Sequence, residues 1–393
     1  VLANYKNSQD ALTPIIKGST DMKAEFGITK IAKLSTTDEF FMTNTSAPTA
    51  KVIEKDATRK EVDDAGKEMT DGKTNLNLLT VDVERAVSKV TFDNTDNQSF
   101  AIKQGDNTIA KATLEGVSLI NLNKKMYLVK DGQTATNKPV TGEWPYPKDP
   151  NYDNTSMDKA YITANFSQTE ATEFSPLVST AKFYCPENTM EASAQLNGQT
   201  TGVVYKVKYV PEDAYYTELA AENGTDSYSQ MFAKVLNLAD KDEAITDKIF
   251  TEATTADKAD GTFYSYNGYV FKTKAGARLY KAIATNPGAD AATVNTAFTN
   301  NASDGDIQTY AEGYCYYTAW IKHNPGGTTM QQDKYGVVRN FWYELTVNSI
   351  KKLGYSKPTY KDPKDPDDKA EASIQVQVNI KKWRWVKQNV DLE

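Results

Sequence analysis

The sequence has one histidine, two cysteines and no long apolar run, and each scarcity removes a class of function. A single His cannot build a multi-histidine zinc site, and P-loop, GxSxG and HExxH patterns are all absent. His323 stands in Ile321-Lys322-His323-Asn324-Pro325-Gly326-Gly327, a strand end running into a turn, and is expected to be a solvated loop residue. Cys185 and Cys315 lie in aromatic runs with no Cys or His at ligand spacing, which argues against a metal or catalytic role. Two buried thiols and a disulfide tying two strands both remain open for them. No apolar run reaches the roughly 20 residues that a membrane-spanning helix needs. Basic residues are outnumbered, 45 Lys+Arg against 52 Asp+Glu, for a net charge of −7. The most basic stretch, Lys381-Lys382-Trp383-Arg384-Trp385, is too short to track a phosphate backbone, so no nucleic-acid partner is expected. Val1 opens directly into Leu2-Ala3-Asn4-Tyr5 without a leader, as in a secreted chain whose signal segment has been removed.

Acidic residues cluster at Asp304-Gly305-Asp306 and Asp240-Lys241-Asp242-Glu243, but neither has a complete calcium-loop spacing. Both are expected to be solvated loops. No catalytic, cofactor-binding or metal residue can be named, and the expectation is a protein that is not an enzyme and carries no cofactor.

What the sequence does have is strand chemistry. It contains 23 Tyr, is rich in Thr and Val, and is punctuated by Gly, Asn and Asp clusters. Apolar and polar residues alternate over 76–83, 86–92, 112–119 and 203–210, which predicts strands with one buried face. Helical patterning is confined to 3–16, 228–238 and 276–284, and these read as insertions between strands. The chain's 393 residues suffice for two domains. The expected fold is all-β, with two β-sandwich domains, at 1–150 and 151–360, followed by a tether and terminal strand over 361–393. Residues 131–153 are expected to be a connector near the boundary, and the Pro- and Asp-rich run 358–368 an extended, charged tether.

Beyond that run the chain turns apolar again. Ile374, Val376, Val378 and Ile380 alternate strictly, then Lys381-Lys382 shifts the phase before Trp383, Trp385, Val390 and Leu392. The shift predicts a bulge or a handover from one sheet to another. A terminus this apolar must be buried, at about 1.5–3 kcal/mol per fully buried aliphatic. It is either the last strand of its own domain or a strand that completes a sheet in a second molecule.

Several segments resemble a known family. Phe183-Tyr184-Cys185-Pro186-Glu187-Asn188-Thr189, with a strand ending Tyr209-Val210-Pro211, resembles the opening of the C-terminal domain of Bacteroidia fimbrillins. Tyr316-Tyr317-Thr318-Ala319-Trp320, followed by the RNxxYxLxVxxIxxLG pattern of Arg339 to Gly354, is similar to that family's late strands. The terminal Val-x-Val-x-Ile-x-x-Trp strand is similar to the minor-fimbria type of stalk subunit, and 79–92 resembles a strand late in the N-terminal domain. The resemblance implies transthyretin-like sandwiches, export as a lipoprotein to the outer membrane, and maturation by an arginine-specific protease that opens a groove. It further implies polymerisation by donor-strand exchange into a cell-surface fimbrium, with Ile374, Val376, Val378, Ile380, Trp383, Trp385, Val390 and Leu392 as the donor surface. The implied partners are further copies of the chain, accessory anchor and tip subunits, and host or bacterial surface receptors. Family members carry several strands before the stretch that 3–16 resembles, so the first strands of the N-terminal domain are expected to be missing here or the member to be short. The alternative function is a tip or monomeric adhesin that binds glycan or a host protein.

Overall fold

The computed structural model describes residues 25–27, 35–36, 39–44, 79–94, 98–130, 146–156, 174–178, 181–212, 260–289, 291–359, 362–369, 374–382 and 386–390. The first strands are short: β1 (Glu25–Gly27), β2 (Ser35–Thr36), β3 (Glu39–Phe40) and β4 (Met42–Asn44). Longer ones follow: β5 (Leu79–Arg85), β6 (Val87–Phe92), β7 (Ser99–Gln104), β8 (Asn107–Ile120) and β9 (Lys125–Tyr127). Then come β10 (Ser175–Pro176), β11 (Lys182–Pro186), β12 (Gly202–Pro211), β13 (Phe263–Tyr266) and β14 (Tyr269–Phe271). Helices α1 (Lys274–Thr285) and α2 (Ala291–Thr299) precede β15 (Gln308–Tyr310), β16 (Tyr314–Trp320), β17 (Phe341–Ile350), β18 (Ile374–Lys382) and β19 (Val386–Val390).

Two sheets carry the core. One has the order β11-β6-β17-β18, antiparallel except where β6 and β17 run parallel. The other has the order β10-β8-β12-β16, with β7 also pairing β8. Their buried side chains form one cluster, in which Val90, Phe92, Leu345, Val347 and Val378 of the first sheet meet Ala112, Leu114, Val117, Tyr205 and Tyr317 of the second. Phe92 meets the Tyr205 ring edge-on, 6.1 Å between centroids. In β8 the alternation that buries Ala110, Ala112 and Leu114 changes phase before Val117, and the register against β12 slips there, between Lys206 and Val207. The slip leaves one extra residue in β8, so its apolar side chains stay on the core side through the kink.

A smaller sheet, β14-β13-β15, leans on α1, whose Tyr280 contacts the rings of Tyr266, Tyr269 and Phe271. Thr273 caps α1 by accepting the Gly276 N–H at 2.8 Å. The sheet β19-β5-β4 and the pairs β1–β9 and β2–β3 complete the described strands.

The fold is all-β with two short helices among the described residues. Helix α1 contains the predicted 276–284, while 3–16 and 228–238 lie outside the described residues. Among the described residues, β6 pairs β11 and β17, and β8 pairs β12, so strands from both sides of residue 150 share each main sheet. Of the expected connector 131–153, residues 131–145 lie outside the described residues, and 146–153 are packed into the body. Tyr146, Asp149, Asn151 and Tyr152 are buried, and Asp149 accepts from the Thr189 N–H (2.7 Å), the Asn151 N–H (2.7 Å) and the Asn123 side chain (3.0 Å).

Candidate functional site

The path from β17 to β18 is long, and what it touches decides how the C-terminus can be used. Leaving β17, the chain turns at Gly354, where a Cβ would stand 2.6 Å from the Tyr316 carbonyl and 2.9 Å from the Tyr317 ring. Only glycine lets the backbone come that close. Tyr355 and Tyr316 then exchange backbone hydrogen bonds of 2.8 and 2.9 Å, so the chain runs along the free edge of β16.

The run 362–369 is a strap fastened to the body, which corrects the expectation of an extended tether. The Gly198, Asn197 and Asp367 amides bond across it to Pro363 O, Asp365 O and Gln195 O at 2.8, 2.9 and 3.1 Å. Asp367 is 1% exposed and accepts the Thr200 hydroxyl proton. Burial lifts its carboxyl well above the usual range, the Thr200 bond only partly opposing this and neighbouring Asp368 adding to it. Asp368 is opposite in character. Burial alone would raise it, but Lys334 (2.5 Å), the Met330 N–H (2.5 Å) and the Tyr335 hydroxyl (2.8 Å) outweigh that and hold it below the carboxylate norm. Proline and aspartate look like linker chemistry, but here the Pro363 carbonyl and several Asp oxygens accept bonds from residues far away in sequence.

Strand β18 then returns against β17. Its ladder runs from Ile374 opposite Ile350 to Lys382 opposite Phe341, with one slip between Val347 and Ser349. Val378 is buried in the shared core, and Ile374, Val376 and Ile380 pack against it half-buried. Between Lys382 and Val386 the chain changes sheets, as the phase shift predicted. Strand β19 pairs antiparallel with β5, Val386 opposite Val83 and Val390 opposite Leu79, while β4 occupies the other edge of β5. The structure thus splits the predicted donor surface: Ile374, Val376, Val378 and Ile380 lie in one sheet and Val390 in another. Trp383, Trp385 and Leu392 lie outside the described residues.

Strand β18 pairs with β17, whose start is fixed by a buried ion pair and several hydrogen bonds. Arg339, just before β17, is fully buried in an ion pair with Glu187 at 3.1 Å, and its guanidinium also donates to Tyr127 O (2.9 Å) and Leu128 O (3.3 Å). Asn340 takes φ 64 and sends its N–H to Val87 O at 2.9 Å, so the chain turns sharply into the strand. The Tyr343 hydroxyl accepts the Val338 N–H at 2.8 Å and lies 2.7 Å from His323 Nδ1.

His323 is therefore no solvated loop residue. It is 0% exposed, packed among Tyr146, Phe341 and Tyr343. Burial, with some help from the Lys130 charge, holds its pKa down to about 3, so the ring is neutral and Nδ1 can accept the Tyr343 proton. Its Pro-Gly surroundings suggested solvent, and no local signal marked a partner twenty residues on.

Cys185 and Cys315 are free and buried. The Ser88 hydroxyl lies 2.9 Å from Cys185 Sγ, and burial pushes the two thiols up to about 12 and about 11. Such thiols are unreactive at neutral pH. Asp304 is an ion-pair partner of the helix, taking Arg278 through both oxygens (2.7 and 2.5 Å) and Lys274 at 3.0 Å, while Lys281 reaches Asp306 at 3.1 Å. Gly305 and Asp306 are exposed, as expected of a solvated loop, while Asp304 is half-buried by its ion pairs, and 240–243 lie outside the described residues. Among the described residues, no group of three or more His, Cys, Asp or Glu could hold a metal ion, and no helix is long and apolar enough to cross a membrane.

Residues 308–389 match the family model for the C-terminal region of fimbrillin, the major fimbrial subunit protein type IV. The matched stretch contains the strap, β18 and most of β19. No curated protein sequence matches the chain. Among solved structures it is similar to a candidate cell adhesion protein of Parabacteroides distasonis ATCC 8503 (13% identity, 96% of this chain and 80% of that one, TM-score 0.39). It is also similar to one of Bacteroides eggerthii DSM 20697 (12% identity, 95% and 73%, TM-score 0.32). A fimbrilin of Porphyromonas gingivalis W83 is matched at 13% identity over 77% of this chain and 59% of that one, TM-score 0.29. Likenesses this distant say nothing about function, and the match over 308–389 stands by itself.

Proposed function

We propose that this chain, which carries the fimbrillin C-terminal region, is a structural subunit of a bacterial surface fimbria that polymerises by exchanging its last strand. The observation behind this reading is the change of sheets after Lys382. Strand β18 has a long ladder and a place in the core, whereas β19 adds to the edge of a separate sheet made of β5 and β4.

An edge that accepts this chain's own β19 would accept β19 of another copy in the same register, with the same hydrogen bonds. Swapping therefore creates no new contact and breaks none once the ring of exchange is complete, and an open chain of swaps is a filament. In this reading β18 stays at home as the last strand of its own body, and the donated part begins after it. Trp383, Trp385, Val390 and Leu392 are the donor residues, and Ile374, Val376, Val378 and Ile380 are the anchor.

Export as a lipoprotein, attachment to the outer membrane, a stalk position and association with anchor and tip subunits belong to the same proposal. The fimbrillin region supports these points only by family resemblance. Deleting 383–393 should leave a folded, soluble protein that forms no filaments by electron microscopy, while the full chain forms them. Filaments from the truncated chain would overturn the donor role. A second reading, a monomeric adhesin, is favoured by the pairing of β18 and β19 within one chain. It predicts no filaments from either form.

A further inference from the structure

Three turns converge on a cleft of about 650 Å³. One joins β7 to β8 through Gly105 (φ 59), the second joins β13 to β14 through Asn267 (φ 50) and Gly268 (φ 83), and the third is 351–353 beyond β17. Left-handed turn residues fold the two hairpins tightly, and no atom lies within 4 Å of where a Cβ on Gly105 or Gly268 would stand. The floor is apolar and aromatic, from Ile102, Val270, Tyr209 and Tyr310, all buried. The rim is cationic: Lys103, Lys351 and Lys352 line it, all three exposed, and among the described residues no acidic side chain does.

We infer that this cleft binds an anionic saccharide, a sugar carrying carboxylate or sulfate groups. Three ammonium groups around one opening are conspicuous on a chain of net charge −7, and converging charge over low-dielectric walls attracts anions. Among the described residues, none of the three lysines is taken up by an ion pair. Lysine is a flexible point charge rather than a planar fork, which suits separate anionic substituents spaced around a ring. Gln104 and Ser265 also line the cleft and can both donate to and accept from ring hydroxyls, while the apolar floor fits the C–H face of a pyranose. The rim is held in place, because the Tyr317 hydroxyl donates to Lys352 O at 2.7 Å and the Tyr310 hydroxyl to Gly354 O at 3.0 Å. An acidic peptide fits less well, since extended peptides bind along open strand edges and turn tips form this cleft.

The test titrates the full chain by calorimetry with hyaluronan tetrasaccharide, chondroitin sulfate tetrasaccharide, a sialylated trisaccharide, neutral chitotetraose and a poly-glutamate octapeptide. At least one anionic saccharide should bind about tenfold or more tighter than chitotetraose, and weaken as salt rises. Which one does so identifies the source, by carboxylate, sulfate or sialic acid. The variant K103Q/K351Q/K352Q should lose that binding by about tenfold or more while keeping its melting temperature, since all three side chains are exposed. Single Lys351→Glu should weaken it in the same direction. The inference is overturned if no anionic saccharide binds saturably at millimolar concentration, if the triple variant binds as before, or if the octapeptide binds as tightly as the best saccharide. Filament formation is not read at any step, so the result is independent of whether the chain polymerises.

Discussion

Strands β18 and β19 follow each other within a few residues, yet they are held in different ways. Strand β18 has nine residues laddered to a core strand, three half-buried aliphatics and one buried valine on the shared core, and the strap fastened just ahead of it. Strand β19 has five residues on the edge of a sheet whose other members are β5 and the short β4. The apolar C-terminus is thus divided between two sheets: a part laddered into the core, and a part on the edge of a smaller sheet, which is the part the proposed exchange would donate. Ladder length and membership of the core separate them, and hydrophobicity alone does not.

Replacing Ile374, Val376, Val378 and Ile380 together with Ser attacks the anchored half. The expected loss is roughly 4–6 kcal/mol in urea unfolding, enough to unfold a typical domain. A loss under about 1 kcal/mol would mean that β18 is as dispensable as β19. Arg339→Met should cost about 3–5 kcal/mol by the same measurement, because it leaves Glu187 buried without its counter-charge beside the strand that β18 pairs with.

His323 adds a pH dependence to the anchored half. Its pKa is lower in the folded chain than in the unfolded one, so its contribution is complete above about 6.5 and is lost as pH falls toward about 3. Chemical unfolding should show a decline of the order of 4 kcal/mol across that window that His323→Asn removes. The smallest effect concerns the strap. The Asp367 carboxyl is raised, so its deprotonation, as pH climbs from its unfolded value through its folded one, weakens the strap. Asp367→Asn should remove that dependence, raising amide protection of 362–369 at neutral pH by a factor of a few in hydrogen exchange. A uniform change across β18 and β19 would instead show that the strap does not act locally.

Much of the fold was legible because burial of one strand face writes a period of two. Residues 87–92, 112–119, 203–210 and 374–380 are strand, as that signal predicted, and the phase shift at Lys381-Lys382 marked the change of sheets. What stayed hidden depends on distant partners. Asp365 and Asp367 read as solvated linker because their partners, Gln195, Asn197 and Thr200, lie more than 160 residues away. His323 read as exposed because Pro325 and Gly326 dominate its neighbourhood, while Tyr343 buries it. The lysines of the cleft come from residues 103 and 351–352, and no local pattern could bring them together. The RNxxYxLxVxxIxxLG pattern was visible as a resemblance, but its physical content emerged only in three dimensions. Arg339 is a buried ion-pair partner, Asn340 a left-handed turn, Tyr343 a double hydrogen-bond station and Gly354 a point of close approach.

Cross-strand disulfide trapping tests the exchange of β19 most directly. Gln388 stands opposite Val81, and opposed strand residues are close enough for a bridge. The native Cys185 and Cys315 are buried and will not interfere. Copies carrying only Gln388→Cys are mixed with copies carrying only Val81→Cys, assembled under filament-forming conditions and oxidised. Exchange predicts disulfide-linked pairs of one copy of each kind. If no such pairs form, and the double variant Gln388→Cys/Val81→Cys closes its disulfide only within single chains after assembly, the last strand stays at home and the exchange account is contradicted.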